Sequence, residues 1–251
     1  MKDDEFFVGY LPVPSKLSRF LTICAVLLIV GFGVLSYAAG STQDNPGDGN
    51  FRFDFGRQTV TGVIELNPYP TMRVTEGNER IPAGHTLMLS AAGKNGIMRR
   101  ARPLEGKLAT VSGIILKRGE LDMLQVRGGR NGLQAADGDA PPLEPAVTLG
   151  KWKLAGEICD GKCLAGAMRP GRRLAHKACA NLCIIGGVPP VFVSTQKVEG
   201  SEYMLIGGPD GKPLGQKLLD NVASFLSIEG ELERRGDLLV LKADPSTIEV
   251  F

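Results

Sequence analysis

The run from Phe20 to Ala39, FLTICAVLLIVGFGVLSYAA, carries no charged residue. About 20 such residues in a helix span the hydrocarbon core of a bilayer, so this segment divides the chain before any other feature is weighed. Lys16 and Arg19 stand just before it, and Asp44 and Asp48 just after. Positive charge stays on the cytoplasmic side. The expectation is a cytoplasmic tail at 1–19, a single-pass anchor in the inner (plasma) membrane at 20–39, and a C-terminal bulk that is extracytoplasmic. A cleaved signal peptide is the alternative, with Ser36-Tyr37-Ala38 as its small-residue site. The long n-region, with Asp3, Asp4 and Glu5, argues against it. The aromatics of Phe6 to Pro12 suit the inner membrane interface.

Beyond the anchor the chain reads as β-rich. At 43% hydrophobic and 22% charged it is too apolar for a disordered chain and too polar for a many-span membrane protein. A net charge of +2 gives no electrostatic footprint for nucleic acid. A polar linker at 40–51 is followed by short apolar or alternating runs at Thr59–Glu65, His85–Ser90, Lys107–Leu116 and Leu121–Val126, punctuated by Gly, Pro and Asn. A second linker at 129–146 separates them from runs at Val147–Glu157, Val191–Thr195, Tyr203–Ile206, Phe225–Leu232 and Leu238–Lys242.

The two sets resemble each other. Thr110 to Leu121 aligns without a gap on Ser227 to Leu238, with Gly113 over Gly230 and Gly119 over Gly236. Upstream, Gly62 matches Gly156 and Met88 matches Leu205. Internal self-similarity signals repeated architecture. Strand, mid-strand glycine and closing hairpin resemble the OB-fold, a five-stranded Greek-key barrel. The fold expected is therefore mainly β: two tandem small OB-like β-barrel domains at 52–128 and 147–251, after one transmembrane helix. OB-folds bind nucleic acid or sugars in many settings, but an external location argues against nucleic acid, and fold alone assigns no function.

Between the matched glycines and the matched Met88 and Leu205 the second half is longer, and the four cysteines beyond the anchor all lie in the excess, within an insertion at 157–190. Cys159, Cys163, His176, Cys179 and Cys183 follow the spacing C-x3-C-x12-H-x2-C-x3-C. A short helix over Leu174–Ile185, between Gly171 and Gly186, puts His176, Cys179 and Cys183 on one face. Thiolate and imidazole are donors for zinc, copper and iron centres. Four cysteines in an oxidising compartment also suit two disulfides, or a redox-active thiol pair. Lys162, Arg169, Arg172, Arg173 and Lys177 surround them against Asp160 alone, and positive charge favours thiolate. Cys24 lies in the anchor. His85 stands alone in the first half and reads as structural. Gly207 to Lys212 lacks the P-loop spacing and reads as a turn.

Lys162-Cys163-x2-Gly166-x-Met168-x-Pro170-Gly171, followed by His176-x2-Cys179-Ala180-x2-Cys183-x2-Gly186-Gly187, resembles a motif of uncharacterised membrane-anchored bacterial proteins. The resemblance implies that Cys163, His176, Cys179 and Cys183 form a Cys3His set with Cys159 as an accessory or disulfide residue, and implies no established activity. Two functions follow as expectations. The first is an extracytoplasmic module that docks on a membrane or periplasmic redox complex, with a metal- or disulfide-stabilised Cys/His element. The second is a metal-binding or thiol-redox protein using Cys163, His176, Cys179 and Cys183. The metal and the partner are left open, and no catalytic residue stands out.

Overall fold

The computed structural model describes residues 13–42 and 49–251. The expected interface segment at Phe6 to Pro12 and half of the expected linker, residues 43–48, lie outside the described residues. Helix α1 runs over Ser15–Thr42. It starts after Pro14, whose carbonyl accepts from the amides of Leu17 and Ser18 at 2.9 and 3.1 Å. At 1.5 Å per residue its 28 residues reach about 42 Å, more than the ~30 Å hydrocarbon core requires. The helix is thus longer than the uncharged run, because Ser15 to Arg19 and the residues after Ala39 continue its turns. It is long and apolar enough to cross a membrane, a test that a signal sequence also passes.

Residues 49–251 belong to one compact unit. Its strands are β1 (Asn50–Phe51), β2 (Gln58–Glu65), β3 (Thr71–Glu76), β4 (Thr86–Ser90), β5 (Leu108–Arg118), β6 (Leu121–Val126), β7 (Leu133–Ala135), β8 (Val147–Asp160), β9 (Pro190–Val198), β10 (Ser201–Gly207), β11 (Phe225–Arg235) and β12 (Leu238–Val250). Short helices α2 (Met98–Ala101), α3 (Lys177–Ile185) and α4 (Gln216–Asp220) lie between strands. Strands β8 to β12 close into a five-stranded barrel in the order β10-β12-β11-β8-β9. The first sheet runs β1-β5-β2-β3-β4-β6, and its β5 also pairs with β6, which closes a ring of β2 to β6. The small strand β7 adds to β5 inside the segment expected to be a plain linker.

The pairings of the two rings coincide residue for residue. Gly62 faces Ala109, and Gly156 faces Leu226. Gly113 faces Val126, and Gly230 faces Ala243. Met88 faces Met123 in parallel, and Leu205 faces Val240 in parallel. The glycines explain themselves at these points. A Cβ on Gly62 or Gly156 would sit 2.2 or 2.1 Å from a carbonyl oxygen of the next strand, and one on Gly113 or Gly230 would sit 2.2 or 2.6 Å from another. Strands that coil this tightly leave no room for a side chain there.

The second ring departs from the first in one place. Ile64 and its partner Met72 are 8 residues apart (72 − 64), whereas the equivalent Ile158 and Phe192 are 34 apart (192 − 158). The 26 extra residues all sit between β8 and β9 and contain Cys163 to Cys183. Strand β3 was absent from the sequence reading. Its residues Thr-Met-Arg-Val-Thr-Glu are largely buried yet lack an apolar alternation, because Arg73 is satisfied inside by Glu65 and the Glu144 carbonyl. The segment Gly207 to Lys212 is a turn, closed by the Gly208 amide on the Lys212 carbonyl at 2.8 Å.

Each ring has its own apolar core, around Ile64, Met72, Leu87 and Val111 in the first and Ile158, Phe192, Met204 and Ile228 in the second. A third cluster joins them. It contains Met88, Leu116 and Met123 from the first ring with Val191, Leu205 and Val240 from the second, all at most 1% exposed. Met88 and Met123 occupy the positions that Leu205 and Val240 occupy in the other ring, so the same face of each ring meets its counterpart. Burial of side chains of this size contributes about 1.5–3 kcal/mol each. His85 seals the rim of this seam. Its ring bonds Asp237 of the β11–β12 turn through Nδ1 and lies 3.1 Å from Asp122 of β6 through Nε2.

Candidate metal centre

The last residue of β8 starts the site. Asp160 is fully buried. Its Oδ1 accepts from the Cys163 amide at 2.7 Å, which turns the chain out of the strand. Its Oδ2 lies 2.9 Å from His176 Nε2. A wide π-type turn over Cys163–Ala167, kinked at Gly166, follows, and the chain returns through a 3-10 turn at Leu174–His176 into α3. The helix expected over Leu174–Ile185 is thus present, with a tighter first turn, and ends at Gly186. His176, Cys179 and Cys183 lie at i, i+3 and i+7 and line its inner side. His176 and Cys183 are buried, and Cys179 is half-buried.

The Sγ atoms of Cys163, Cys179 and Cys183 all lie within 4.8 Å of one another. Three sulfurs around a tetrahedral zinc need separations of about 3.8 Å, from Zn–S bonds of ~2.3 Å. Side-chain rotations that move the sulfurs by up to about 1 Å bring the trio to that distance. A second group shares one member: donor atoms of Asp160, Cys163 and His176 also lie within 4.8 Å of one another. Cys163 therefore sits between a thiol trio and a carboxylate–imidazole pair. His176 touches the site at the Cys163 end and is anchored there by Asp160, a residue the spacing of Cys and His did not reveal.

Cys159 stands apart. It points to the other side of β8, where its thiol donates to Glu157 Oε1 at 3.1 Å. Burial and the Glu157 charge push its thiol well above the ordinary range. Glu157 is itself buried, bonded by the Arg173 amide and faced by Arg172 at 3.7 Å. The two-disulfide expectation is not met: all five cysteines, Cys24 included, are free thiols.

The electropositive surroundings expected for the thiols come from elsewhere. Lys162 is held by the carbonyls of Ala91 and Gly93, Arg169 by Gly49, and Lys177 by Asp220. Backbone carbonyls thus take the hydrogen bonds of these three cations, while the buried Lys162 still acts on Cys163 and Cys183 through space. The cation that reaches the thiols is Lys94, from the β4–α2 loop of the first ring. Its Nζ lies 2.6 Å from Cys179 Sγ and 3.8 Å from Cys183 Sγ. Nothing in the sequence spacing links residue 94 to residue 179. The link is made by packing, since Gly96 donates to the Gly186 carbonyl at 2.8 Å and an added Cβ on Gly186 would meet the Lys94 carbonyl at 1.9 Å.

These contacts split the thiols electrostatically. A hydrogen bond from Cys163 holds Cys183 below the ordinary thiol range, to about 7, against the cost of its burial and with help from Lys94. Donation of that bond, together with burial and Asp160, drives Cys163 far above the ordinary range. Contact with Cys179 raises the Lys94 ammonium. The site thus favours a thiolate at Cys183, with the Lys94 ammonium 3.8 Å away and two further sulfurs in reach. No protein family, curated protein or solved structure matches the chain in the comparisons made with each.

Proposed function

We propose that this protein is a membrane-anchored, extracytoplasmic metal-binding protein, built from two OB-like barrels and holding a thiophilic ion at Cys163, Cys179 and Cys183. The observation that carries the reading is the convergence of three free sulfurs from two segments of one insertion. His176 would supply the fourth donor by turning toward the trio: it groups with Asp160 and Cys163 rather than with Cys179 and Cys183, and its Nε2 bonds Asp160, a carboxylate–histidine pairing of the kind that orients metal ligands. Three thiolates and an imidazole suit zinc, and soft sulfur donors also accept copper(I). Both rings share the strand order and the parallel closing pair of the OB-fold, with the metal loop between the first two strands of the second. The uncharged helix and the Lys16 and Arg19 flank support an anchor with residues 49–251 outside the cytoplasm.

The full chain, purified in detergent without chelator, is expected to hold about one zinc or copper per molecule by elemental analysis. Cys163→Ser and Cys179→Ser are each expected to abolish retention, since a closed structural site needs all its ligands. Cys159→Ser is expected to leave it intact. Equal metal content in all three variants would refute the assignment.

A second reading rests on the outer face of α3 and of the 3-10 turn that leads into it. Leu174, Leu182 and Ile185 are 68%, 57% and 70% exposed beside the site. Such an apolar stripe suits docking on a protein partner, such as a membrane or periplasmic redox complex. Leu182→Glu combined with Ile185→Glu should then leave metal content unchanged and abolish co-purification with the partner. Undiminished co-purification would remove this reading.

A further inference from the structure

We propose that Lys94 and Cys179 form an oxidative crosslink in which one oxygen atom bridges Nζ and Sγ, tying the first barrel covalently to the second. Hydrogen bonds from N–H to oxygen span about 2.7–3.2 Å, and the larger sulfur lengthens an N–H···S contact further. The separation of 2.6 Å between Lys94 Nζ and Cys179 Sγ is shorter than an ordinary hydrogen bond of that kind. It is also shorter than the spacing of two donors around one tetrahedral metal, about 3.8 Å for sulfurs. A single bridging oxygen bent between nitrogen and sulfur holds the two atoms about this far apart.

The surroundings keep the pair together. The Lys94 backbone is pinned against the end of α3, where Gly186 leaves no room for a Cβ beside the Lys94 carbonyl and the Gly96 amide bonds Gly186 at 2.8 Å. Lys162 holds the same loop from below through Ala91 and Gly93 at 2.6 and 2.9 Å. The lysine must then run back along the helix toward residues 179 and 183. Lys94 is exposed and Cys179 half-buried, whereas Cys163 and Cys183 are buried. A small oxidant thus reaches Cys179 first, in keeping with the dependence of thiol oxidation on exposure.

Dioxygen balances the step. The ammonium–thiolate pair, or the amine and thiol, holds three hydrogens on nitrogen and sulfur. An N–H bond and the S–H bond (or its proton equivalent) break, and one N–O and one O–S bond form. The second oxygen atom leaves as water with two of the hydrogens, and the third stays on nitrogen. Sulfur and nitrogen each lose two electrons, and dioxygen takes all four. The product removes Cys179 from the donor set, so oxidation of the metal-free site closes it to metal while locking the loop of the first barrel onto α3.

The test is intact-mass and peptide mass spectrometry of the full chain in detergent. The protein is stripped of metal, kept anaerobic, then split between anaerobic and air-saturated buffer. The aerobic sample should gain the mass of one oxygen less two hydrogens, with the peptide of Lys94 joined to that of Cys179. Dithiothreitol should reverse the gain, and Lys94→Arg and Cys179→Ser should each abolish it. Circular dichroism of Lys94→Arg guards against a folding defect, which its exposed position does not lead us to expect. A gain of whole oxygen atoms on Cys179 that persists in Lys94→Arg would overturn the proposal. So would loss of two hydrogens alone, which marks a disulfide or a direct N–S bond, and so would an unchanged mass. Metal content of the anaerobic protein is measured separately, so failure of the bridge leaves the metal reading standing and failure of metal binding leaves the bridge standing.

Discussion

Asp160 shows how one buried carboxylate organises two functional side chains. It accepts from the Cys163 amide with one oxygen and faces His176 with the other. Asp160→Asn keeps the shape and removes the charge that orients the imidazole. Loss of such an outer partner costs about 10–100-fold in metal affinity, and that is the drop expected in a competition titration. An unchanged affinity would show that His176 is not a ligand. The thiols give a second expectation. In the metal-free protein one thiolate should appear as the pH rises through about 7, because the bond from Cys163 stabilises the Cys183 anion. Ultraviolet thiolate absorbance of wild type against Cys183→Ser reads this directly. The difference between them should vanish well below pH 7, where both are protonated. Equal titration curves would place the low thiol elsewhere.

At the scale of elements, the hairpins were legible and the seams were not. Gly113 and Gly230 could be matched in the sequence because tight coiling demands glycine at the same point of each hairpin. Helix α3 was legible because Leu174 to Ile185 sits between glycines and repeats its Cys and His at helical spacing. Strand β3 escaped because Arg73 and two threonines break its apolar pattern and are satisfied only by contacts distant in sequence. Lys94 and Asp160 escaped for the same reason: their roles arise from packing between segments, which spacing does not encode. The convergence of Cys163 with Cys179 and Cys183 was foreseeable from the short return loop, but the separate environment of Cys159 was set by strand alternation that puts it on the opposite face of β8. A substitution at the coil point tests the element account. Gly156→Ala places a Cβ 2.1 Å from the Val193 carbonyl oxygen. It should destabilise by about 1–3 kcal/mol or more through forced backbone movement, measured as a lower denaturant midpoint. A neutral effect would mean that β8 and β9 can part without cost.

Residues 49–251 are held together where the equivalent faces of the rings meet, and Cys163 and Cys183 of the insertion pack in that seam. Met88→Ala or Leu205→Ala should cost about 2–5 kcal/mol. His85 makes the same seam sensitive to pH. Burial opposes its charge, but bonds to Asp122 and Asp237 outweigh that cost and push it up to about 9. A His raised in the folded state stabilises fully below its unfolded value of ~6.5 and loses that contribution as the pH climbs through about 9. Wild type should therefore lose stability between those limits by on the order of 2–3 kcal/mol relative to His85→Gln. Parallel pH profiles would dismiss the clamp. X-ray absorption at the metal edge of the protein reads the proposed trithiolate centre itself. Three sulfurs at about 2.3 Å and one nitrogen at about 2.0–2.1 Å are expected around zinc, with a sulfur lost in Cys163→Ser. A shell of oxygen and nitrogen alone, or one that Cys163→Ser leaves unchanged, would contradict it.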